Sequence, residues 1–85
     1  MKIRVAVLAI IVEDAASVPQ LNDLLHENSD HIIGRMGIPY RAKKINVMSV
    51  AVDAPQDVTA ALTGKIGALP GIRVKTAYSQ FESDE

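Results

Sequence analysis

The residues most able to carry chemistry in this sequence are two histidines. His26 and His31 stand five residues apart, with Glu27 and Asp30 between them. Imidazole nitrogens beside carboxylate oxygens can bind nickel, copper or zinc. Two histidines at this spacing match no strong metal motif, so we favour the alternative that both are polar residues beside a solvated turn. A metal site at His26 and His31 is kept as the second hypothesis.

Two adjacent carboxylates, Glu13 and Asp14, are the next candidates. Neighbouring side chains on extended chain point to opposite sides, whereas a general acid–base pair must face one substrate. The pair therefore predicts the end of a strand and the start of a helix, with Asp14 or Ser17 as the capping residue.

Gly64-Lys65 resembles the end of a phosphate-binding loop. The upstream glycine of that motif is missing, and Ile66 stands where serine or threonine is needed. Nucleotide binding by this mechanism is excluded. We expect Gly64 and Gly67 to lie near a close packing contact instead, with Lys65 exposed.

Positive charge is concentrated around residues 35–44, in Arg35, Arg41, Lys43 and Lys44. One interpretation is an anion-binding site. The other, which we favour, is a solvated sheet edge whose charges resist the addition of a further strand.

Composition limits the classes of function. The 85 residues contain no cysteine, so thiol nucleophiles, iron–sulfur ligation and disulfides are excluded, and no nucleophile–base pair is evident. We expect a protein that is not an enzyme. Nine basic residues meet ten acidic ones, so direct binding to nucleic acid is not expected. No apolar stretch approaches the roughly 20 residues of a membrane helix, and we expect a cytoplasmic protein.

The elements that must position these residues alternate between strand and helix. Ile3–Val12 is apolar on both faces and predicts a central strand. Residues 31–41 contain Gly34, Gly37 and Pro39, which favour an edge strand. The remaining predicted elements are a helix over 16–28, a strand over 45–52 that forms a hairpin with the edge strand, a helix over 55–69 and a last edge strand over 72–78.

This order predicts a single α+β domain over residues 1–79, followed by an acidic, frayed tail over residues 80–85. The expected fold is a ferredoxin-like βαββαβ sandwich with the antiparallel sheet order 4-1-3-2 and both helices on one face. The other face would keep an apolar row from the first strand. The third strand would add either Met48, Val50 and Val52 or Ile45, Val47 and Ala51.

Such an uncovered row predicts self-association, because exposed apolar patches usually mark interaction sites. We expect at least a dimer, a homodimer or a higher homo-oligomer, with the sheet surface or an edge strand in the contact. A cleft between copies could bind an effector, lined by Glu13, Asp14 and Asn22.

Several segments together resemble a known family, the iron-only hydrogenase system regulators. The similarity extends from residue 5 to about residue 76, and its glycine spacings make it fairly specific. It is carried by Val12-Glu13-Asp14, Asn22-Asp23-Leu24-Leu25, Ile33-Gly34-Arg35-Met36-Gly37-Ile38-Pro39, Ala61-Leu62-Thr63-Gly64-Lys65-Ile66-Gly67 and Gly71-Ile72-Arg73-Val74-Lys75.

This family is similar in fold to ACT domains and to the C-terminal domain of the nickel-responsive repressor. The resemblance implies a regulatory module without its own DNA-binding domain, acting through a small-molecule effector or through a protein partner in hydrogenase maturation. ACT-like domains bind small effectors, often amino acids, at interfaces between copies. The candidate effector-binding residues are Glu13, Asp14, Asn22 and Arg35. The domain of the nickel-responsive repressor binds its metal through histidines and a cysteine, and this sequence contains no cysteine.

Overall fold

The computed structural model describes residues 2–84, and its first strand forms the centre of the sheet. β1 is apolar on both sides, so it is best placed between two other strands. The elements are β1 (Ile3–Val12), α1 (Val18–Glu27), β2 (Ile32–Tyr40), β3 (Ile45–Pro55), α2 (Gln56–Gly67) and β4 (Ile72–Ser83), with short 3-10 turns at Ala15–Ser17, Ser29–His31 and Arg41–Lys43.

The four strands form one antiparallel sheet in the order β2-β3-β1-β4. This is the predicted order 4-1-3-2 counted from the other edge. The strand with glycine and proline, β2, lies at one edge, and β4 lies at the other. The predicted α+β ferredoxin-like arrangement is confirmed.

Both helices pack on the same face of the sheet. The even-numbered residues of β1 from Ala6 to Val12 are buried, and they share one core with buried leucines and an isoleucine from the helices. Because alternate residues of a strand point to opposite faces, this core lies on a single side of β1. The helix residues in it are Leu21 and Leu25 of α1 and Leu62 and Ile66 of α2.

The opposite side of the sheet, which we call the open face, carries the uncovered apolar row. Val7 and Ile11 of β1 are about two-fifths exposed, and the register places Ala51 and Val47 beside them. The structure therefore selects the second of the two predicted β3 sets. The open face consists of Val5, Val7, Ala9 and Ile11 (β1), Met36, Ile38 and Tyr40 (β2), Ile45, Val47, Ser49, Ala51 and Asp53 (β3), and Arg73, Lys75 and Ala77 (β4).

Strands β3 and β4 are longer than predicted. β4 continues to Ser83, so the stretch expected to be a frayed tail from residue 80 is mostly strand. Its last residues pair with the start of β1, where Ile3 lies opposite Ser83 and Arg4 opposite Glu82, after an irregularity in the register. Arg4 also forms an ion pair with Glu82. Residue 85 of the predicted tail lies outside the described residues.

The predicted close packing contact is wrong at Gly64 and confirmed at Gly67. A Cβ atom placed on Gly64 would meet nothing within 4 Å, whereas one on Gly67 would lie 3.3 Å from a Val74 methyl group. The close approach thus occurs one turn later, at the last residue of α2, where the chain turns back toward β4. Gly64 is an exposed helical residue.

Replacing Gly64 with alanine is therefore expected to stabilise the protein by about 0.5–1 kcal/mol. Glycine loses more backbone entropy than alanine when it becomes helical, and the new methyl group has open space around it. Urea unfolding followed by circular dichroism measures the change. If the urea midpoint of the variant is unchanged or lower, the new methyl group must meet other atoms, and the exposed position given to Gly64 would be wrong.

Candidate functional site

A cavity of about 250 Å³ opens between α1 and the edge of the sheet formed by β2 and β3. It exists because β2 presents little bulk to the helix at this point. Gly37 faces the helices without a side chain, and a Cβ there would touch only the Met48 side chain, at 3.8 Å. The cavity is lined by Val18 and Asn22 of α1, Arg35, Gly37, Ile38 and Pro39 of β2, and Asn46 and Met48 of β3.

Arg35 is the charged group of this cavity. Its Nη2 donates a hydrogen bond to Asn22 Oδ1 at 3.1 Å, which joins β2 to α1. Within residues 2–84, the ion pairs are those of Lys2, Arg4 and Arg73, so Arg35 has no carboxylate partner there. An arginine carries five N–H donors and never loses its charge, so Arg35 keeps donors available for an anion.

Asn22 and Arg35 also border a second depression of about 480 Å³, which extends along α1 toward the Ser29–His31 turn. Asp23 and His26 line it as well. The hydrogen bond between Asn22 and Arg35 thus separates two concave surfaces. Arg35 borders both surfaces. The first is otherwise mainly apolar with two amide side chains, and the second carries a carboxylate and an imidazole.

The four predicted effector residues fall into two pairs. Asn22 and Arg35 are brought together, as described. Glu13 and Asp14 line neither of these surfaces and make local contacts instead. Arg73 Nε donates to Glu13 Oε1 at 3.2 Å, and Asp14 Oδ1 accepts the backbone N–H of Ala16 at 3.0 Å.

Asp14 therefore caps the 3-10 turn that leads into α1, which was one of the two predicted caps. The other, Ser17, is buried and makes no capping hydrogen bond through its side chain. Its hydroxyl donates to the Pro70 carbonyl oxygen at 2.6 Å. Ser17 thus fastens the start of α1 to the loop between α2 and β4.

The two histidines occupy opposite ends of the turn between α1 and β2. His26 is exposed in the last turn of α1, and His31 is half-buried just before β2. No group of three or more histidine, aspartate or glutamate side chains in residues 2–84 is arranged to hold a metal ion. The metal hypothesis at His26 and His31 therefore gains no further ligand from the described part of the chain.

Sequence reasoning missed the apolar and amide lining of the cavity, which Val18, Asn46 and Met48 provide. A usable signal was present in β2. Alternate residues Arg35, Gly37 and Pro39 share one side of the strand, and a glycine at its centre predicts a gap beneath whatever packs there.

Comparison with known proteins places the chain in a family. The sequence profile named TM1266-like, described as "Iron-only hydrogenase system regulator, putative", matches residues 4–76. The chain belongs to this family. The resemblance inferred from the glycine-containing segments is thereby confirmed. No curated protein matches the sequence.

Solved structures agree with the family assignment. The uncharacterized protein TM1266 from Thermotoga maritima is 33% identical, with a TM-score of 0.88 over 92% of this chain and 99% of that one. Two more distant structures share the fold alone. A formyltetrahydrofolate deformylase from Pseudomonas putida KT2440 has a TM-score of 0.62 at 13% identity, over 86% of this chain and 28% of that one. An unknown protein from Galdieria sulphuraria has a TM-score of 0.62 at 17% identity, over 96% and 48%.

Neither α1 nor α2 is long and apolar enough to cross a membrane, and the described residues contain no other candidate span.

Proposed function

We propose that this member of the hydrogenase regulator family is a non-enzymatic module that binds a small carboxylate-bearing effector in the cavity between α1 and β2. The observation that carries this proposal is the guanidinium of Arg35. It borders a cavity of about 250 Å³ and has no carboxylate partner among residues 2–84.

The lining supplies the two kinds of contact that a small organic acid needs. Arg35 can bind a carboxylate through two parallel N–H donors, which is the strongest common arrangement for this anion. Val18 and Met48 offer apolar surface to the carbon skeleton. The cavity is slightly smaller than the roughly 300–1,000 Å³ of sites for drug-sized ligands, so it suits a molecule of amino-acid size.

The remaining polar groups of the cavity are suited to binding. Asn22 already shares a hydrogen bond with Arg35, and the Asn46 side chain has none within the described residues. Both amides can donate and accept, so they can orient a ligand that carries an amine or a hydroxyl beside its carboxylate. Neither amide is a nucleophile or a general base, which favours a binding role over an enzymatic one.

The proposal includes assembly and a partner. The module acts in the cytoplasm as a homo-oligomer, for which the apolar open face provides the surface. Effector binding changes its contact with a protein of the hydrogenase maturation machinery. Asn22 of α1 lines the cavity and accepts a hydrogen bond from Arg35 of β2, so a ligand bound at Arg35 would act directly on the hydrogen bond that joins α1 to β2.

A thermal-shift screen of amino acids, 2-oxo acids and small dicarboxylates tests the effector site. A ligand that binds only the native state raises stability by RT ln(1 + [L]/Kd), so a true effector raises Tm with increasing concentration. If no compound of this class shifts Tm at millimolar concentration, the effector proposal is wrong.

The variant Arg35→Met is expected to weaken binding of any such carboxylate by about 10- to 100-fold, as measured by calorimetry. Hydrogen bonds to charged groups contribute about 1.5–3 kcal/mol, which corresponds to this range. Arg35 is exposed, so the variant should fold normally. Arg41→Met removes the same charge from the neighbouring turn and should leave the affinity unchanged. Equal losses in both variants would indicate general charge attraction and no site at Arg35.

A further inference from the structure

The open face carries two charged residues without partners, and their positions are related. Asp53 of β3 and Lys75 of β4 take part in no ion pair or side-chain hydrogen bond within residues 2–84. Both lie on an otherwise largely apolar surface. Their neighbour Arg73, by contrast, is already paired with Glu13.

The sheet register places these two charges symmetrically about Val7. Asp53 lies opposite Val5, two residues before Val7, on the strand to one side of β1. Lys75 lies opposite Ala9, two residues after Val7, on the strand to the other side. With strands about 4.8 Å apart and a rise of about 3.3 Å per residue, each charge is about 8 Å from Val7 and the two are about 16 Å apart. They are therefore too distant to pair within one chain.

A second copy solves this problem by symmetry. If two open faces meet, a twofold axis that lies between them and passes over Val7 can bring Lys75 of each copy onto Asp53 of the other. The same axis also passes over Met36 of β2. The register places Met36 beside Ser49 of β3, and Ser49 lies beside Ala9 of β1. Val7 and Met36 are both exposed apolar residues, and each would contact its own counterpart.

We infer that the open face is the surface through which two copies of this chain pair, with two reciprocal Lys75–Asp53 ion pairs around Val7 on the twofold axis. This inference rests on the homo-oligomer part of the proposed function and identifies the surface and the residues that set its geometry. A symmetric interface is the commonest arrangement for identical chains, and it requires a self-complementary patch of this kind.

The available area is consistent with a dimer of modest affinity. β1 has 10 residues and spans about 33 Å, and four strands span about 19 Å, so each face offers about 600 Å². Two faces together offer up to about 1,200 Å², which is the lower limit for stable protein–protein interfaces. A dissociation constant in the micromolar range is expected, and opposite charges at fixed positions would then decide the register.

Charge reversal combined with sedimentation equilibrium at 5–300 μM provides the test, with the full chain and its single variants Lys75→Asp and Asp53→Lys. Each single variant creates two like-charge contacts across the axis and should weaken the dimer at least tenfold. The double variant Lys75→Asp/Asp53→Lys restores opposite charges and should return to within about threefold of the original protein. Lys65→Asp makes the same charge change on α2, away from the open face, and should leave the affinity unchanged.

The outcomes distinguish the open-face interface from the more general proposal that the protein is a homo-oligomer. A dimer whose affinity is the same in all four variants would overturn the open-face interface and leave the homo-oligomer intact through another surface. A protein that remains monomeric at 300 μM would overturn both the interface and the homo-oligomer. The proposed carboxylate site at Arg35 is tested separately by calorimetry, and neither of these results decides it.

Discussion

Replacing Gly71 with alanine is expected to lower the free energy of unfolding by about 2–4 kcal/mol. Gly71 has φ +70°, a left-handed conformation that costs other residues about 1–2 kcal/mol. A Cβ at this position would also lie 2.5 Å from Asp14 Cβ and 2.9 Å from the Asp14 backbone nitrogen. Overpacking of this kind adds about 1–3 kcal/mol, because backbone atoms cannot move aside as the end of a long side chain can.

The loop around Gly71 holds three elements together, which is why its strain should affect global stability. The Gly71 carbonyl oxygen accepts the N–H of Glu13 at 2.7 Å, and the Pro70 carbonyl oxygen accepts the Ser17 hydroxyl at 2.6 Å. These bonds fasten the end of β1 and the start of α1 to the start of β4. A glycine with positive φ is thus required where three segments meet.

Denaturant unfolding of the Gly71→Ala variant measures this effect, and Gly64→Ala is the matched control. Both variants add one methyl group to a glycine, but Gly64 has open space and an ordinary helical conformation. We expect changes of opposite sign in the two proteins. A Gly71→Ala variant within about 0.5 kcal/mol of the original protein would show that the loop relaxes without cost, and the structural role given to Gly71 would be wrong.

The sheet could be predicted from the sequence because its signals are local and consistent. A strand that is apolar on both faces must be central, and glycine and proline in β2 place it at an edge. Because β2 and β3 are joined by a short turn, they must pair as an antiparallel hairpin, and few arrangements of the four strands remain. Local patterns and the global fold agree here, which is typical of sequences that specify one structure.

The ends of the strands were harder to predict because they depend on pairing across the sheet. The acidic stretch after Tyr78 has the composition of a tail, yet it pairs with the beginning of β1 as far as Ser83. The charge of Glu82 is matched by Arg4 and not by any neighbour in sequence. Such contacts join residues about 80 positions apart, and no local pattern announces them.

Two of the four candidate effector residues, Asn22 and Arg35, lie together at the cavity. Asn22 and Arg35 meet because the chain reverses in the short turn after α1 and β2 runs back beside the helix. Glu13 and Asp14 instead serve the junction with the Gly71 loop. In α2, helical periodicity predicted a packing face that contains Gly64 and Gly67. The pattern could not tell which of these two glycines approaches β4.

The two sides of the sheet therefore have separate roles in the proposed function. The helix-covered side holds the core and, at the β2 edge, the cavity with Arg35. The open face holds the charges and apolar groups that would join two copies. Since β2 contributes Arg35 and Gly37 to one side and Met36 and Ile38 to the other, it is the element through which ligand binding and assembly could influence each other.

Replacing Leu8 with alanine is expected to have the largest effect on stability, a loss of about 3–5 kcal/mol. Leu8 is fully buried at the centre of β1, between Val50 of β3 and Thr76 of β4, and it faces the helices. Removing its isobutyl group forfeits the transfer free energy of the lost atoms and leaves a cavity that the surrounding strands cannot close. Folded domains are stable by only about 5–15 kcal/mol, so this variant should be partly unfolded at modest temperature.

Ile11→Ala is the matched control because it makes a similar truncation in the same strand, three residues later and on the open face. Ile11 is 39% exposed, so less apolar area is lost from the folded monomer. We expect a loss of less than about 1.5 kcal/mol when unfolding is measured at protein concentrations below those at which copies associate. Equal losses in the two variants would mean that the open face is as tightly packed as the core, which would contradict the placement of both helices on one side of the sheet.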